Sequence, residues 1–244
     1  MKKIDVIVGG AAGDIGRRLT RLLDRAEEFR FFKGVDRTCA NDIINDISKL
    51  EGGDAIIDFS SPPLALKLVE YARSKKIPIV IGTTGFDDEQ KKSVGSAAAD
   101  IPVLMSPNFA RGVDVLYRAA EELRKMLPGA EIEIVELHHN RKKDAPSGTA
   151  KRITDILKSN EHVITGRNGI CGPRPKDEMG VFSIRGGDTL GEHTVYFFGE
   201  GERLELTHRV TDRDTFALGA LDALRFLLKK KNGFFTMKDV LQFE

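Results

Sequence analysis

The sequence predicts an α/β protein: a doubly wound parallel sheet joined to a second α+β domain built on an open mixed sheet. Three observations point there. Over the first hundred residues, short β-branched runs alternate with helical stretches, the pattern of parallel strands joined by crossover helices. A glycine-rich turn separates the first run from the first helical stretch. After about residue 110 the strands change style and alternate polar with apolar residues, which leaves one covered and one open face.

Ile4–Val8 is the first strand, and Leu19, Leu22 and Leu23 then share one face of a helix. Phe31–Val35 reads as the second strand and Ala55–Phe59 as the third. Pro62 and Pro63 open a helix, since proline fits a first turn. Ile79–Ile81 is a fourth strand, Asp87–Ala99 a helix and Val103–Met105 a fifth strand. These runs hardly alternate, as expected of strands covered on both faces. Gly112–Leu127 reads as a helix, Glu131–Leu137 and Arg203–Thr207 alternate, and Thr194–Phe198 is rich in strand formers. The glycines and prolines of Asn160–Gly180 predict a loop, and Thr215–Lys230 returns to helix. The change of strand style sets a domain boundary near Asn108.

Composition narrows the class. The 244 residues fit one large or two small domains. A hydrophobic share of 41% and a charged share of 31% are those of a soluble globular protein. Lys+Arg 38 against Asp+Glu 37 leaves a net charge of +1. That balance lacks the basic footprint of a nucleic-acid binder or of a membrane-surface protein. Cys39 and Cys171 cannot build a disulfide framework and have no CxxC spacing. The run after Lys2 and Lys3 is broken by Asp5 and ends in glycine, unlike a signal sequence. No stretch approaches the ~18 apolar residues of a membrane helix. A soluble, cytoplasmic protein is expected, with a small-molecule substrate and no nucleic-acid or membrane partner.

Four segments carry chemistry. Gly9-Gly10-Ala11-Ala12-Gly13-Asp14-Ile15-Gly16 lies between strand and helix. Small residues there let the backbone approach a pyrophosphate, and the helix N-terminus offers free N–H groups. The spacing is Gly10-x-x-Gly13-x-x-Gly16, and the sheet it opens is Rossmann-like. Twenty residues beyond Gly16, Asp36 ends the second strand, where an acid can bind ribose hydroxyls. Arg37 follows and could face a 2′-phosphate, so either NADH or NADPH fits. Gly82-Thr83-Thr84-Gly85 and Ser106-Pro107-Asn108-Phe109 each follow a parallel strand and should lie at the ligand-binding edge. Last comes Glu136-Leu137-His138-His139-Asn140-Arg141-Lys142-Lys143-Asp144-Ala145-Pro146-Ser147-Gly148-Thr149-Ala150, a strand running into histidines, cations and a turn that opens a helix. Ser147 is a candidate N-cap. The N–H groups of Gly148 and Thr149, with Lys142 and His139, would make a carboxylate site. A histidine at the strand end can act as general acid. A solvated basic turn is the plainer reading of Arg141-Lys142-Lys143. A metal site lacks a third ligand at a familiar spacing, so none is expected. Ser147 lacks a GxSxG elbow, and the glycine turn has no Walker ending.

The run His138 to Ala150 resembles the signature H-H-x-x-K-x-D-A-P-S-G-T-A of the 4-hydroxy-tetrahydrodipicolinate (dihydrodipicolinate) reductase family, with every fixed position matched. Gly82-Thr83-Thr84-Gly85-Phe86, Asn108-Phe109 and Gly191-Glu192-His193-Thr194 also fit, so the resemblance spans nearly the whole chain. It implies an NAD(P)H-dependent reductase of the diaminopimelate route to lysine. His138 would be the general acid and Lys142 a second proton donor or a steadying cation. His139, Ser147, Gly148, Thr149 and Thr84 would bind a cyclic dicarboxylate. Gly10, Ala11, Ala12, Gly13, Asp14, Ile15, Asp36, Arg37, Gly82, Thr83, Thr84, Ser106, Pro107, Asn108 and Phe109 would bind the cofactor. The dinucleotide-binding domain would be 1–109 plus 212–244. The domain at 110–211 would bind substrate and build a homotetramer through its open sheet. Family members often carry Arg-Met where this chain has Asp14-Ile15, which removes a possible 2′-phosphate contact. Pro107 removes a backbone donor. Two other readings fit the same residues: another NAD(P)-dependent dehydrogenase of a small dicarboxylic or amino acid, and a dinucleotide-sensing module without catalysis.

Overall fold

The computed structural model describes residues 2–241 apart from Asn41. In chain order its first elements are β1 (Ile4–Gly9), α1 (Asp14–Arg25), β2 (Phe29–Val35), β3 (Ile43–Ile44), β4 (Ala55–Asp58), α2 (Pro62–Lys75), β5 (Ile79–Ile81), α3 (Asp88–Ala97) and β6 (Pro102–Met105). Then come α4 (Arg111–Met126), β7 (Glu131–His138), α5 (Gly148–Leu157), β8 (His162–Ile164), β9 (Glu178–Arg185), β10 (Glu192–Gly199) and β11 (Glu202–Arg209). The last are α6 (Asp214–Leu227), β12 (Gly233–Phe235) and α7 (Met237–Val240). The chain divides into two compact units, Met1–Arg111 with Arg213–Glu244, and Gly112–Asp212.

In the first unit a seven-stranded parallel sheet runs β12-β6-β5-β4-β1-β2-β3. Successive side chains of a strand point to opposite faces, and here both faces are buried. Val6, Val8 and Ile57 join a core with Leu19, Leu23 and the α6 residues Ala220, Leu224 and Leu227. Ile7, Ile56, Ile79 and Ile81 join the other core with Leu68, Val69 and Val94. That double coverage is why these strands are apolar without alternation. The strand order reverses at β1, which puts a crevice beyond its carboxyl end and that of β4. Helix α2 starts with its two prolines, and α3 starts with a capping box between Asp87 and Gln90.

In the second unit the sheet runs β11-β10-β7-β9-β8, antiparallel from β11 to β7 and parallel from β7 to β8. Ile132, Ile134, Val181, Val195 and Phe197 pack against Leu116 of α4 and Ile153 and Leu157 of α5. The opposite face carries Glu133, Val135, Phe182, Tyr196 and Phe198, which with Arg167 and Arg174 line a groove.

The expected loop at 160–180 needs correction. β8 lies inside it, and β9 begins at Glu178. The three-residue run His162-Val163-Ile164 is too short for periodicity to register. It pairs with Glu178–Gly180, a partner that local sequence does not reveal. The short strands β3 and β12 escape notice for the same reason.

Candidate active site

The first unit prepares its crevice mostly with backbone. Gly10 adopts φ +73°, and a Cβ there would overlap the carbonyl of Phe59. A Cβ on Gly16 would overlap the carbonyl of Gly10. The turn is therefore packed to a shape that only glycine permits at those points. Gly13 caps α1 without any side-chain hydrogen bond, so first-turn N–H groups remain for an anionic ligand. Asp36 is fixed at the rim: its carboxylate accepts from the backbone N–H of Ala12 at 2.9 Å and of Arg37 at 2.6 Å. This cradle fits the pyrophosphate and ribose of a dinucleotide.

Several site residues named from sequence have their side chains engaged elsewhere. The Asp14 carboxylate is bound by Arg213 at 2.6 Å and Arg18 at 3.3 Å, and its hydrogen bond with Arg213 holds it below the usual range. The Thr83 hydroxyl donates to Asp58 at 2.6 Å and accepts from the Ser60 N–H at 2.8 Å. Ser106 and Asn108 brace their own turn, the serine hydroxyl donating to the Asn108 carbonyl at 2.6 Å. Phe109 is a core residue, 5.3 Å from the Phe59 ring. At Ala11 and Phe109 the side chain is buried, so what each can offer a ligand is main chain. Thr84 and Pro107 are exposed, and Ala12 and Ile15 are half-buried.

In the second unit the signature residues collect at one edge of the mixed sheet. His138 ends β7, and its Nδ1 lies 2.5 Å from a Glu136 carboxylate oxygen. Glu136 is 0% exposed. Arg185 grips it with two hydrogen bonds of 2.8 and 2.9 Å, and the backbone N–H of Ser147 donates to it at 3.0 Å. Burial opposes ionisation, but the hydrogen bonds with His138 and Arg185 hold this carboxyl far below the usual range. Arg185 also donates to the carbonyl of Asp144 at 2.7 Å.

Ser147 caps α5 as expected, accepting the Ala150 N–H at 3.2 Å. Its hydroxyl also meets Nε2 of His193 at 3.0 Å. Burial pushes His193 down to about 3, so the ring is neutral and shares one hydrogen bond with the Ser147 hydroxyl. The His193 ring stands edge-on to His138, with centroids 5.2 Å apart. Lys142 pairs with Asp144 at 2.8 Å, and its backbone N–H donates to the carbonyl of His139. His139 and Thr149 are half-buried and Gly148 is exposed. The cluster thus combines a histidine, a half-buried cation and a helix N-terminus, the parts needed to hold a carboxylate and move a proton.

Among the described residues no group of His, Cys, Asp or Glu is placed to hold a metal ion. No described helix is long and apolar enough to cross a membrane. Neither Glu136 nor Arg185 stands out as a site residue in the sequence. A signal for Glu136 was present: the alternation slips phase at Val135, which puts Glu136 on the buried face with Ile132 and Ile134. Arg185 has no such signal, because it meets Glu136 through the long-range pairing of β7 with β9.

Descriptions of the N- and C-terminal parts of dihydrodipicolinate reductase match residues 4–109 and 112–241 respectively. The chain belongs to the dihydrodipicolinate reductase family. Among relatives of that family, the 4-hydroxy-tetrahydrodipicolinate reductase of Anaeromyxobacter sp. (strain Fw109-5) is 41% identical, covering 98% of this chain and 97% of its own. That of Archaeoglobus fulgidus is 46% identical over 82% of this chain and 80% of its own. The fold is shared with a dipicolinate-bound dihydrodipicolinate reductase from Paenisporosarcina sp. TG-14, with a TM-score of 0.80 at 22% identity, covering 98% of this chain and 99% of that one. Family membership accounts for the co-occurrence of the glycine turn and the His138–Ala150 signature in one chain.

Proposed function

We propose that the chain is an NAD(P)H-dependent reductase that converts 4-hydroxy-tetrahydrodipicolinate to tetrahydrodipicolinate in the diaminopimelate route of lysine biosynthesis. The observation that carries this reading is the edge of the second sheet, where His138, Lys142 and the Ser147–Thr149 helix start come together. The substrate is a ring with two carboxylates and, after loss of water, a conjugated C=N system. Gly10 to Ile15, Asp36, Arg37, Gly82 to Thr84 and Ser106 to Phe109 would hold the cofactor, largely through main chain. When bound, the reduced nicotinamide supplies hydride to the ring.

The residues of the chain do the rest. The N–H groups of Gly148 and Thr149, with Ser147 and His139, bind one carboxylate at the positive end of α5. Thr84 offers a further hydroxyl. His138 donates a proton to the centre where electron density collects. Lys142 exchanges Asp144 for the substrate and offsets its charge. The open face of the second sheet is the surface through which four copies assemble, and sedimentation should give a tetramer mass.

The test is oxidation of NADH and of NADPH, followed by absorbance. Substrate is made in situ from pyruvate and aspartate semialdehyde by the preceding synthase. Rapid oxidation that depends on the synthase is expected. Binding of both cofactors without oxidation would overturn the reading.

A further inference from the structure

Glu136 holds more of the second unit's edge than its own strand requires. Its carboxylate receives His138 Nδ1, two Arg185 N–H groups and the N–H of Ser147. The serine hydroxyl of Ser183, beside it on β9, is a further donor. A buried anion is costly unless it is paired and hydrogen-bonded, and Arg185 supplies the counter-charge. The pair would be satisfied without the imidazole. The imidazole is nevertheless bound, and through one particular nitrogen.

We propose that Glu136 is the positioning residue of the reductase site, fixing His138 in its Nδ1–H form so that Nε2 alone faces the substrate. The role rests on the reductase reading above for its kinetic consequence but not for its geometry. An ionised carboxylate can only accept, so the nitrogen facing it carries hydrogen. The remaining nitrogen, Nε2, is the atom nearest a Cβ built on Gly191, at 3.2 Å. Gly191 has φ +155° and no side chain, and a side chain there would crowd Nε2. In the protonation step the Nε2–H bond breaks and the proton goes to the substrate ring. The electron pair of that bond stays on Nε2. The imidazole left behind is the neutral Nδ1–H form, the one Glu136 holds, and solvent returns a proton to Nε2.

The same carboxylate ties the donor to the carboxylate-binding turn. It accepts from Ser147, the N-cap of α5. Its partner Arg185 accepts no load alone: one guanidinium nitrogen bridges Glu136 and the carbonyl of Asp144, at the far end of the loop that carries Lys142. Proton donor, cation and anion-binding helix start are thereby referred to a single buried ion pair. Positioning groups of this kind act through orientation and tautomer, and their loss lowers kcat more than binding.

Long-range proton–nitrogen NMR on histidine-labelled protein without substrate reads the tautomer directly, with His138→Asn identifying the signal. Observed with a single ring proton, the wild-type His138 should carry that proton at Nδ1. Glu136→Gln should move it toward the Nε2–H form and lower kcat by about 10²-fold, the scale of general acid catalysis, with the Kd for NADH unchanged. An Nε2–H ring in the wild type would overturn the proposal, whether or not Glu136→Gln folds. So would a Glu136→Gln protein with wild-type tautomer and kcat. A wild-type Nδ1–H ring in a protein that reduces no substrate would sink the reductase reading instead and leave the geometry standing.

Discussion

Asp58 and Glu136 occupy comparable places in the two sheets, and their surroundings are opposite. Asp58 ends β4 and Glu136 lies two residues from the end of β7. Both are 0% exposed. Asp58 meets only hydroxyls and a peptide N–H, from Ser60 and Thr83. Burial pushes it up to about 6. Glu136 meets a guanidinium and an imidazole, and stays far below the usual range. Equal burial therefore gives opposite titration, and the difference is counter-charge. The first unit's edge offers main chain and hydroxyls, with the Asp36 carboxylate at its rim and no counter-charge bonded to Asp58. The second unit's edge arrives with its charges fixed, as proton transfer requires.

The largest test of this contrast is kinetic. His138→Ala or Lys142→Ala should lower kcat by about 10²–10⁴, while the Kd for NADH, measured by fluorescence titration, stays at the wild-type value. Equal loss of cofactor affinity would erase the division of labour between the units. Next comes stability. Glu136→Ala leaves Arg185 without its partner and should destabilise by about 3–5 kcal/mol. Asp58→Asn keeps a donor and an acceptor for the two hydroxyls and should stay within about 1 kcal/mol. Urea melts that rank the two variants the other way would break the comparison.

A smaller effect concerns the rim of the first crevice. Asp36→Ala removes the carboxylate held by Ala12 and Arg37 and should raise the Kd for NADH about 10-fold, near the value of one charge-assisted hydrogen bond. The Kd for NADPH should rise less, because a 2′-phosphate gains nothing from that anion. The smallest effect separates burial from pairing once more. Asp114 is pushed up to about 6 by burial alone. A carboxyl raised in the folded state binds more protons there than in the unfolded chain. Its unfavourable contribution is therefore absent below the ordinary pKa near 4 and complete above about 6. Asp114→Asn should match the wild type at pH 4 and exceed it by about 1 kcal/mol at pH 7.5, or roughly 2–4 °C in Tm.

Much of this was legible in sequence, for physical reasons that vary with the element. The strands β1, β4, β5 and β6 announce themselves because two-sided burial demands continuous apolar runs. The glycine turn is legible because Gly10 and Gly16 sit where backbone approaches backbone. Ser147 was visible as a cap because capping is a local bond. What escaped depends on pairing between distant segments. β8 is a strand because β9 lies beside it, and Arg185 belongs to the site because β9 also lies beside β7. Thr83 and Phe109 sit at the segments expected to line the crevice, yet the Thr83 hydroxyl serves Asp58 and the Phe109 ring serves the core. Local sequence marks where a loop emerges and does not say which of its atoms remain available.

The return of the chain to the first unit has a consequence for synthesis. Helix α6 supplies Ala217, Ala220, Leu221, Ala223, Leu224 and Leu227 to the core on one face of the parallel sheet, and β12 borders β6. A nascent chain elongated only to Asp212 already holds every residue of the second unit. Its first unit at that moment has Val6, Val8 and Ile57 with Leu19 and Leu23 of α1 beside them but without α6. Chains that lack α6 should then carry a first unit with a partly uncovered apolar face, the kind of surface chaperones retain. The order of completion inverts the order of translation: the unit begun first is closed last.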